Sequence, residues 1–436
     1  MSIDFLTLLL FGTMALLLML GIPLSYVLGG LALVFAFVLQ GTSVIPWAIY
    51  RVWDIMGMFS LIAIPLFIFM ANVLQSAGIA EDLYDAIYHW LGGLRGGLAI
   101  ATVMVCTLLS AMVGTAGAGV VIMGLIALPA MLKRNYDKKL ACGVIMAGGS
   151  LGVLIPPSIL FILYGQFASQ SVGKLFLGGV GPGLALSASF IIYILILCWI
   201  KPSAGPALGQ EHRISWHAKI AYLKTLILPG FLIVAVIGSL FSGMATPSEA
   251  AGVGAIGALI CAAVRRRLNW NMLKGAVDAT LRAVAMIMWV VIGAYLFVGM
   301  YLLAGGDEFL RAVLFGLGLG RWGLLILIQL VLIVMGMFLD WVGILILLVP
   351  LVVPVLVSLG FDALWFGVLF NLNMQISYLS PPFGYSMFYL KGVAPQGITM
   401  GDLYHSVAPF IALQLLVLSI SILFPQLALF LPSLLD

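Results

Sequence analysis

The sequence predicts an all-α polytopic membrane protein built from two similar halves, and three observations support this prediction. Hydrophobic residues make up 64% of the 436 residues, whereas charged residues make up 8%. A soluble protein has about 25% charged residues, so this chain lacks the charge to cover a water-exposed surface. Apolar runs of about 20 residues, the length of a membrane span, recur along the chain. Finally, residues 129–164 resemble residues 354–389 at a constant spacing of 225 residues.

This composition excludes several classes of protein. With so few charges, the chain is neither a soluble enzyme, nor a disordered protein, nor a nucleic-acid binder. The four cysteines show no CxxC spacing, and the four histidines show no ligand spacing. The sequence therefore predicts no transition-metal site and no cofactor.

The apolar runs predict about ten to fourteen membrane passes, at about 20 residues for each. Two runs, near 104–131 and 330–357, are too long for one span and too short for two. They predict hairpins that enter and leave on the same side, which protein or a water-filled cavity must surround. Segments 44–57 and 268–282 mix Trp, Arg, Lys and Asp with apolar residues. These two segments predict helices that lie along the membrane surface.

The internal similarity divides the chain into a first repeat at 1–200, a linker at 201–224 and a second repeat at 225–436. Rare residues coincide across the repeat, because Pro156 and Pro157 stand opposite Pro381 and Pro382. The linker is the one long polar stretch, and it is basic.

Charge predicts that the two repeats are inverted with respect to each other. Loop 133–139 contains four basic residues, whereas its partner, 358–364, contains none. Basic loops stay in the cytoplasm, so the two loops are expected on opposite sides of the membrane. By the same rule, the linker 201–224 and the run 265–267 are cytoplasmic. Inverted repeats are typical of secondary transporters, with the binding sites at the repeat interface.

The proline pairs predict two broken helices. Pro156 and Pro157 remove two backbone donors and block a continuous helix, and the run 148–165 also holds several glycines. Free carbonyl groups at such a break suit Na⁺, and a helix that starts near Ser158 offers a positive end to an anion. A simple proline kink is the alternative, and the matching break at 380–384 argues against it.

Polar residues inside the apolar segments are the other candidates. Asp340 stands opposite Thr115 at the repeat spacing, and an ionisable residue in an apolar stretch is functional by default. The alternative is that Asp340 lies at the aqueous end of a span. The amides of Asn371, Asn373 and Gln375 could ligate Na⁺, or they could serve as interhelical hydrogen-bond partners.

The chain has no HExxH, GxSxG or phosphate-binding GxxxxGK[ST] motif. It is therefore predicted not to be an enzyme and not to hydrolyse ATP, so a coupled transporter of this kind would use an ion gradient. Two forms of carrier remain open from the residues alone. One depends on a separate binding protein, and the other is a stand-alone Na⁺-coupled carboxylate carrier.

Four stretches resemble the large membrane (M, or DctM-type) subunit of tripartite ATP-independent periplasmic (TRAP) transporters. They are 110–119 (SAMVGTAGAG), 148–158 (GGSLGVLIPPS), 245–255 (ATPSEAAGVGA) and 340–384. The resemblance implies an elevator-type fold, similar to the ion transporter superfamily, that imports a small organic acid anion with Na⁺ across the bacterial inner membrane. It also implies two partners, a small four-helix membrane subunit on a separate chain and a periplasmic substrate-binding protein.

The resemblance also implies roles for individual residues. The first sodium site is expected at Gly114, Thr115, Gly149 and Ser150, and the second at Asp340, Asn371, Asn373 and Ser380. Family members often have Ser at the position of Thr115 and commonly have Thr at the position of Ser380. The substrate path is expected to be lined by residues of the broken helices, namely Pro156, Pro157, Ser158, Gln375, Pro381 and Pro382.

Overall fold

The structure is a computed structural model that describes residues 2–207 and 216–435, without the side chains of 216–221 and 223–225. The described part of the chain is helical and contains no strand. Its first half consists of α1 (Ile3–Met19), α2 (Leu24–Gln40), α3 (Val44–Met56), α4 (Ala63–Ser76), α5 (Ile79–Leu91), α6 (Gly97–Val113), α7 (Ala116–Lys133), α8 (Lys138–Ser150), α9 (Ile159–Phe167) and α10 (Val172–Ile200).

The second half contains a further ten helices in its described part. They are α11 (Trp216–Phe241), α12 (Pro247–Val264), α13 (Trp270–Leu303), α14 (Gly306–Gly316), α15 (Arg321–Gly336), α16 (Trp341–Ser358), α17 (Ala363–Leu379), α18 (Tyr385–Val393), α19 (Met400–Leu423) and α20 (Gln426–Leu429).

The prediction of an all-α polytopic membrane protein is confirmed. Across the described ranges, eight helical stretches are long and apolar enough to cross a membrane, or nine if the bent pair α14–α15 is one span. Four shorter apolar stretches fall below that length. The estimate of ten to fourteen passes is therefore reached only if some of these shorter stretches also cross. Many large apolar side chains on the outside of the molecule, such as Leu8 and Ile192, are exposed and would face lipid.

The two predicted surface helices differ in the structure. Segment 44–57 corresponds to α3, which follows α2 after a short 3₁₀ turn at Gly41–Ser43. Segment 268–282 is not a separate helix, because it forms the first part of the 34-residue helix α13. Its polar residues sit on a helix that continues into an apolar span, and nothing in the sequence near 282 interrupts that helix.

The bounds of the helices repeat at the same spacing of 225 residues as the sequence. Helix α7 spans 116–133 and α16 spans 341–358, while α8 and α17 begin at 138 and 363. The repeated Asp137 and Asp362 have one role in common, since each is the N-cap of its helix and accepts a hydrogen bond of 2.8 Å from a backbone N–H. An N-cap of this kind stabilises a helix by about 1 kcal/mol.

One group of helices is held together by close backbone approach. Helix α13 packs along α2 and α4, and α12 packs along α4. A methyl group at Gly293 would lie 2.7 Å from the carbonyl oxygen of Ser25, so this glycine lets α2 and α13 touch. Helix α12 begins with a capping box formed by Thr246 and Glu249. We call α2, α4, α12 and α13 the scaffold group.

The second group consists of two helical hairpins and two broken helices. Hairpin 1 is α6–α7 and hairpin 2 is α15–α16, whereas broken helix 1 is α8–α9 and broken helix 2 is α17–α18. Packing crosses between the halves, because α18 lies on α7 and α8 while α9 lies on α16 and α17. The hydroxyl of Tyr164 in α9 donates a hydrogen bond of 2.7 Å to the carbonyl oxygen of Ala363 in α17.

The beginning of the predicted linker lies against the base of hairpin 1. The carbonyl oxygen of Gly205 accepts a hydrogen bond of 2.8 Å from the N–H of Gly96. The carbonyl oxygen of Ala204 accepts one of 3.0 Å from the N–H of Asp137. Residues 208–215 of the linker lie outside the described residues, and α11 already begins at Trp216.

Candidate substrate and ion site

The turn of hairpin 1 consists of Gly114 and Thr115 and is pressed against the first proline break. Gly114 has a φ of +69°, which favours glycine. A methyl group there would also lie 2.6 Å from the carbonyl oxygen of Pro157. Backbone conformation and lack of space therefore both require glycine at this position.

The remaining residues of the predicted first sodium site lie close to this turn. Gly149 at the end of α8 faces α7, since a methyl group there would lie 2.6 Å from the backbone N of Val120. A methyl group at Gly152 would lie 2.7 Å from the carbonyl oxygen of Thr115. Ser150 is fully buried, and its hydroxyl donates to the carbonyl oxygen of Ala147 at 2.8 Å. The structure thus brings the end of α8 and the turn of hairpin 1 together.

The turn of hairpin 2 presents a carboxylate where hairpin 1 presents a hydroxyl. Asp340 is the N-cap of α16, and its carboxylate accepts a hydrogen bond of 3.2 Å from the N–H of Val342. Gly336 at the end of α15 lies directly against the side chain of Ser377 in α17. Ser377 was not predicted as a site residue, although it stands at the repeat position of Gly152.

The other residues of the predicted second sodium site are dispersed. The amide of Asn373 donates to the side-chain oxygen of Gln329 in α15 at 2.6 Å. Asn371 donates to the carbonyl oxygen of Gly367, and Ser380 donates to that of Ile376. Residues two apart on a helix do not share a face, so Asn371 and Asn373 lie on different sides of α17.

Several buried amide atoms in α17 have no hydrogen-bond partner in the described structure. They are the side-chain oxygens of Asn371 and Asn373 and both amide atoms of Gln375, and all three residues are fully buried. Most buried polar atoms in proteins have a partner, and an exception requires an explanation such as water or an ion. These oxygens keep α17 as a candidate for ion or water binding.

A cavity of about 370 Å³ lies where the two hairpin turns meet the scaffold group. One side is formed by residues 114–118 of hairpin 1 and 340–342 of hairpin 2, together with Tyr378 and Tyr389 of broken helix 2. The other side is formed by residues 68–75 of α4 and 279–287 of α13. A volume of this size is within the usual range for a small-molecule site.

The residues of the proline pairs are not among those that line this cavity. Pro156, Pro157 and Ser158 are buried behind the turn of hairpin 1. Pro381 and Pro382 are exposed elsewhere, and Gln375 is enclosed in the core. The broken helices reach the cavity through neighbouring residues instead, namely Val153, Leu160, Tyr378 and Tyr389.

Sequence reasoning also missed two polar residues on the scaffold side, Asn72 and Gln75. They are three residues apart, so they share a face of α4. Two amides on one face of an otherwise apolar helix were a usable signal.

The chemistry of the cavity suits both a cation and an anion. Asp340 is the charged side chain among the lining residues. The side chain of Thr115, the N-cap of α7, makes no capping hydrogen bond, so the first N–H groups of α7 can donate to an anion. Among the described residues, no group of three or more His, Cys, Asp or Glu side chains could hold a metal ion. The carboxylate of Asp340 and the hydroxyl of Thr115 are the candidate cation ligands among the lining residues.

Hairpins that meet at a cavity inside an apolar helical molecule define a membrane transport protein, and solved transporters share this fold. YdaH of Alcanivorax borkumensis has a TM-score of 0.64 and 15% identity, with 93% of this chain and 98% of that chain covered. MtrF of Neisseria gonorrhoeae has a TM-score of 0.61 and 11% identity, with coverages of 91% and 85%. These similarities concern the fold alone.

The chain belongs to the DctM family, the DctM component of tripartite ATP-independent periplasmic transporters, whose family model matches residues 11–427. The C4-dicarboxylate TRAP transporter large permease protein DctM of Vibrio cholerae is 30% identical, with 95% of each chain covered. DctM of Rhodobacter capsulatus is 31% identical, with coverages of 98% and 99%. The sialic acid TRAP transporter large permease SiaM of Vibrio cholerae is 30% identical, with 95% of each covered.

The predicted family, transporter class and location are thereby confirmed. The protein is a multi-pass protein of the bacterial inner membrane and a DctM-type large permease of a tripartite ATP-independent periplasmic transporter. Membership of this family implies a small membrane subunit and a periplasmic binding protein as partners. The matched relatives are transporters, in agreement with a chain that has no enzymatic role.

Proposed function

We propose that this chain moves a small organic acid anion into the cell together with Na⁺, after a periplasmic binding protein has delivered it. The observation that carries the proposal is the cavity between the two hairpin turns and the scaffold group. It combines the carboxylate of Asp340, the hydroxyl of Thr115 and the open N-terminus of α7, which are groups that can bind a cation and an anion together.

The proposed topology is an inverted repeat. Helix bounds that recur at a spacing of 225 residues support the repeat. The basic loop 133–139 and its partner 358–364, which has no basic residue, support opposite sides of the membrane. In such an arrangement, hairpin 1 enters from the cytoplasm and hairpin 2 from the periplasm, and their turns meet near the middle of the membrane.

Two sodium sites are proposed, one behind each hairpin turn. For the first, the close packing of Gly114, Thr115 and Gly149 supports a site made of backbone carbonyl groups and the Thr115 hydroxyl. Ser150 lies beside it. For the second, we retain Asp340 and add Ser377, because Ser377 lies against Gly336 at the end of α15. Asn371, Asn373 and Ser380 would then stabilise broken helix 2 from behind.

An elevator movement is proposed, in which the hairpins and broken helices slide as a unit along α4 and α13. The cavity wall on the scaffold side supports this mechanism because it is mostly smooth and apolar. It consists of Ile68, Ala71, Ala279, Ala283, Met286 and Ile287, apart from two amides. Few polar contacts would have to break when a substrate-carrying unit moves past such a wall.

The substrate class and the partners are proposed from the relatives. Their names specify C4-dicarboxylates, sialic acid and isethionate, so a small carboxylate or sulfonate is the expected cargo. The small membrane subunit and the periplasmic binding protein of the family are the proposed partners. The stand-alone carrier remains the alternative that the experiment below must separate.

The test is uptake into proteoliposomes that contain this chain and its small subunit. A labelled carboxylate and the purified binding protein are added outside, with a Na⁺ gradient in one set and a K⁺ gradient in the other. We expect uptake only when Na⁺ and the binding protein are both present. Uptake with Na⁺ but without the binding protein would favour the stand-alone carrier, and uptake that ignores Na⁺ would contradict the proposed coupling.

A further inference from the structure

The two amides on the scaffold side of the cavity lie at the cytoplasmic end of α4. Asn72 and Gln75 are in the last two turns of this helix, which ends at Ser76. The guanidinium of Arg265 donates a hydrogen bond of 3.4 Å to the carbonyl oxygen of Gly78, just beyond that end. Arg265 also pairs with Asp82 at the start of α5. Because the basic run 265–267 is cytoplasmic, this end of α4 is cytoplasmic too.

The α13 side of the cavity is at the same level. Helix α13 follows the basic run and starts at Trp270, so its first half is the cytoplasmic half. The cavity contacts α13 at residues 279–287, which run from the cytoplasmic half to the middle of the helix. The hairpin turns thus stand opposite the cytoplasmic halves of both scaffold helices.

The periplasmic end of the same interface is closed. The hydroxyl of Ser60, which precedes α4, donates a hydrogen bond to the side chain of Gln166 at the end of α9. The neighbouring Phe167 packs against Tyr295 of α13, with ring centroids 6.1 Å apart. Contact at this end and a cavity at the other together describe an inward-facing arrangement.

Asn72 is held in place by a partner on the other scaffold helix. Its amide nitrogen donates to the hydroxyl of Thr280 at 3.0 Å, and that hydroxyl donates to the carbonyl oxygen of Ala276 at 2.7 Å. An amide has two N–H groups and a carbonyl oxygen, so one bond to Thr280 leaves capacity for a ligand. Gln75 is exposed one turn further toward the cytoplasm.

We propose that Asn72 and Gln75 bind the substrate in the inward-facing state only, and so act as specificity-determining residues at the point of release. This inference rests on the proposed elevator movement. Because α4 remains fixed while the hairpins carry the substrate, its amides meet the substrate on the cytoplasmic side alone. Their hydrogen bonds would be made to the carboxylate or hydroxyl oxygens of an organic acid, which the apolar residues of the same wall cannot bind.

The first experiment locates the two residues by cysteine labelling. In a chain whose four native cysteines are replaced, Asn72→Cys and Gln75→Cys are each exposed to a membrane-impermeant maleimide. We expect labelling in inside-out vesicles and none in right-side-out vesicles while the carrier is inward-facing. Labelling from the periplasmic side alone, or from neither side, would overturn the placement.

The second experiment measures affinity from the two sides, with the acid that gives Na⁺-dependent uptake. For Asn72→Leu and Gln75→Leu, we expect the internal concentration that half-maximally stimulates exchange to rise about three- to tenfold, as for the loss of one hydrogen bond. The KM for uptake from the binding protein should stay unchanged. Thr280→Val should produce a smaller rise by releasing Asn72. Ile256→Val is the control, because Ile256 is an exposed residue of α12 that does not line the cavity.

The outcomes separate this inference from the proposed function. Normal Na⁺-dependent uptake with unchanged internal affinity would overturn the inference and leave the function intact. Equal changes of the internal and external affinities would also overturn it, because residues on the fixed helix α4 should contact the substrate on the cytoplasmic side alone. A wild-type chain that shows no Na⁺-dependent uptake would contradict the proposed function itself, and with it this inference.

Discussion

At the scale of single residues, the two hairpin turns differ in a way that suits two kinds of ligand. Hairpin 1 presents Thr115, a hydroxyl that leaves the first N–H groups of α7 available. Hairpin 2 presents Asp340, a carboxylate that already caps α16. The two repeats therefore place a neutral hydroxyl and a negatively charged carboxylate at equivalent backbone positions. The carboxylate of Asp340 is the better cation ligand.

Removing either turn side chain should abolish transport. For Asp340→Ala and Thr115→Ala, we expect uptake to fall by about tenfold or more, equivalent to about 1.4 kcal/mol, because each loses an ion-ligating oxygen. Expression and membrane insertion should remain normal. The measurement is Na⁺-driven uptake in proteoliposomes. Asp278→Asn is the matched control, because Asp278 forms an exposed i,i+4 pair with Arg282, and normal uptake by both turn variants would move the ion sites elsewhere.

The glycine in the turn of hairpin 1 gives a second prediction. Gly114→Ala forces a Cβ into a left-handed conformation and to within 2.6 Å of the carbonyl oxygen of Pro157. We expect lower thermal stability of the purified protein and loss of uptake, at a cost of about 1–3 kcal/mol. Gly12→Ala in α1 is the control, since nothing lies within 4 Å of its added methyl group. Equal behaviour of the two variants would show that the turn can relax.

At the scale of elements, the break in each broken helix lets its two parts run in different directions. One part can then pack on a hairpin while the other packs on the opposite half. Helix α8 packs on α7, and α9 leaves in a direction that brings it against α16 and α17. In the same way, α17 packs on α15 and α18 lies on α7. A continuous helix could not make both sets of contacts.

Replacing Pro156 at the first break by a residue that a helix tolerates should therefore impair transport. Pro156→Ala supplies a backbone N–H and removes the ring that blocks helix extension. We expect a clear loss of uptake with retained expression, measured in the same Na⁺-driven assay. Pro23→Ala, at the exposed N-cap of α2, should have little effect. Wild-type rates for Pro156→Ala would indicate that the break is a simple kink.

At the scale of the whole molecule, the interface between the moving unit and the scaffold group can be tested by cross-linking. Ser60→Cys with Gln166→Cys joins the two groups at a direct side-chain contact. In a background without the native cysteines, we expect oxidation to stop uptake and reduction to restore it. The protein is then locked inward-facing, so a maleimide should still label Asn72→Cys from the cytoplasmic side.

The control for this cross-link joins two positions within the scaffold region. The hydroxyl of Ser248 in α12 donates a hydrogen bond of 3.2 Å to the carbonyl oxygen of Phe59. Oxidation of the pair Phe59→Cys and Ser248→Cys should therefore leave uptake unchanged. If the cross-link between residues 60 and 166 also left uptake unchanged, the two groups would not move relative to each other at this contact.

The sequence by itself determined the class of the molecule. Sparse charge and long apolar runs require a lipid environment, because too few polar side chains exist to cover a surface in water. The recurrence of Pro156-Pro157 at Pro381-Pro382 indicated the internal repeat. The distribution of basic loops predicts that the two repeats are inverted relative to each other. The capping box of Thr246 and Glu249 is also a local feature, since it depends on residues three apart.

Only the tertiary structure decided which residues line the cavity and where α13 begins. Asn72 and Gln75 reach the site because α4 lies opposite the hairpin turns, a relation between segments that are distant in sequence. The prolines marked the breaks, but the turn of hairpin 1 covers the first break, so neighbouring residues form the wall. Segment 268–282 has the composition of a surface helix, yet it continues into a span, because packing along α2 and α4 outweighs local polarity.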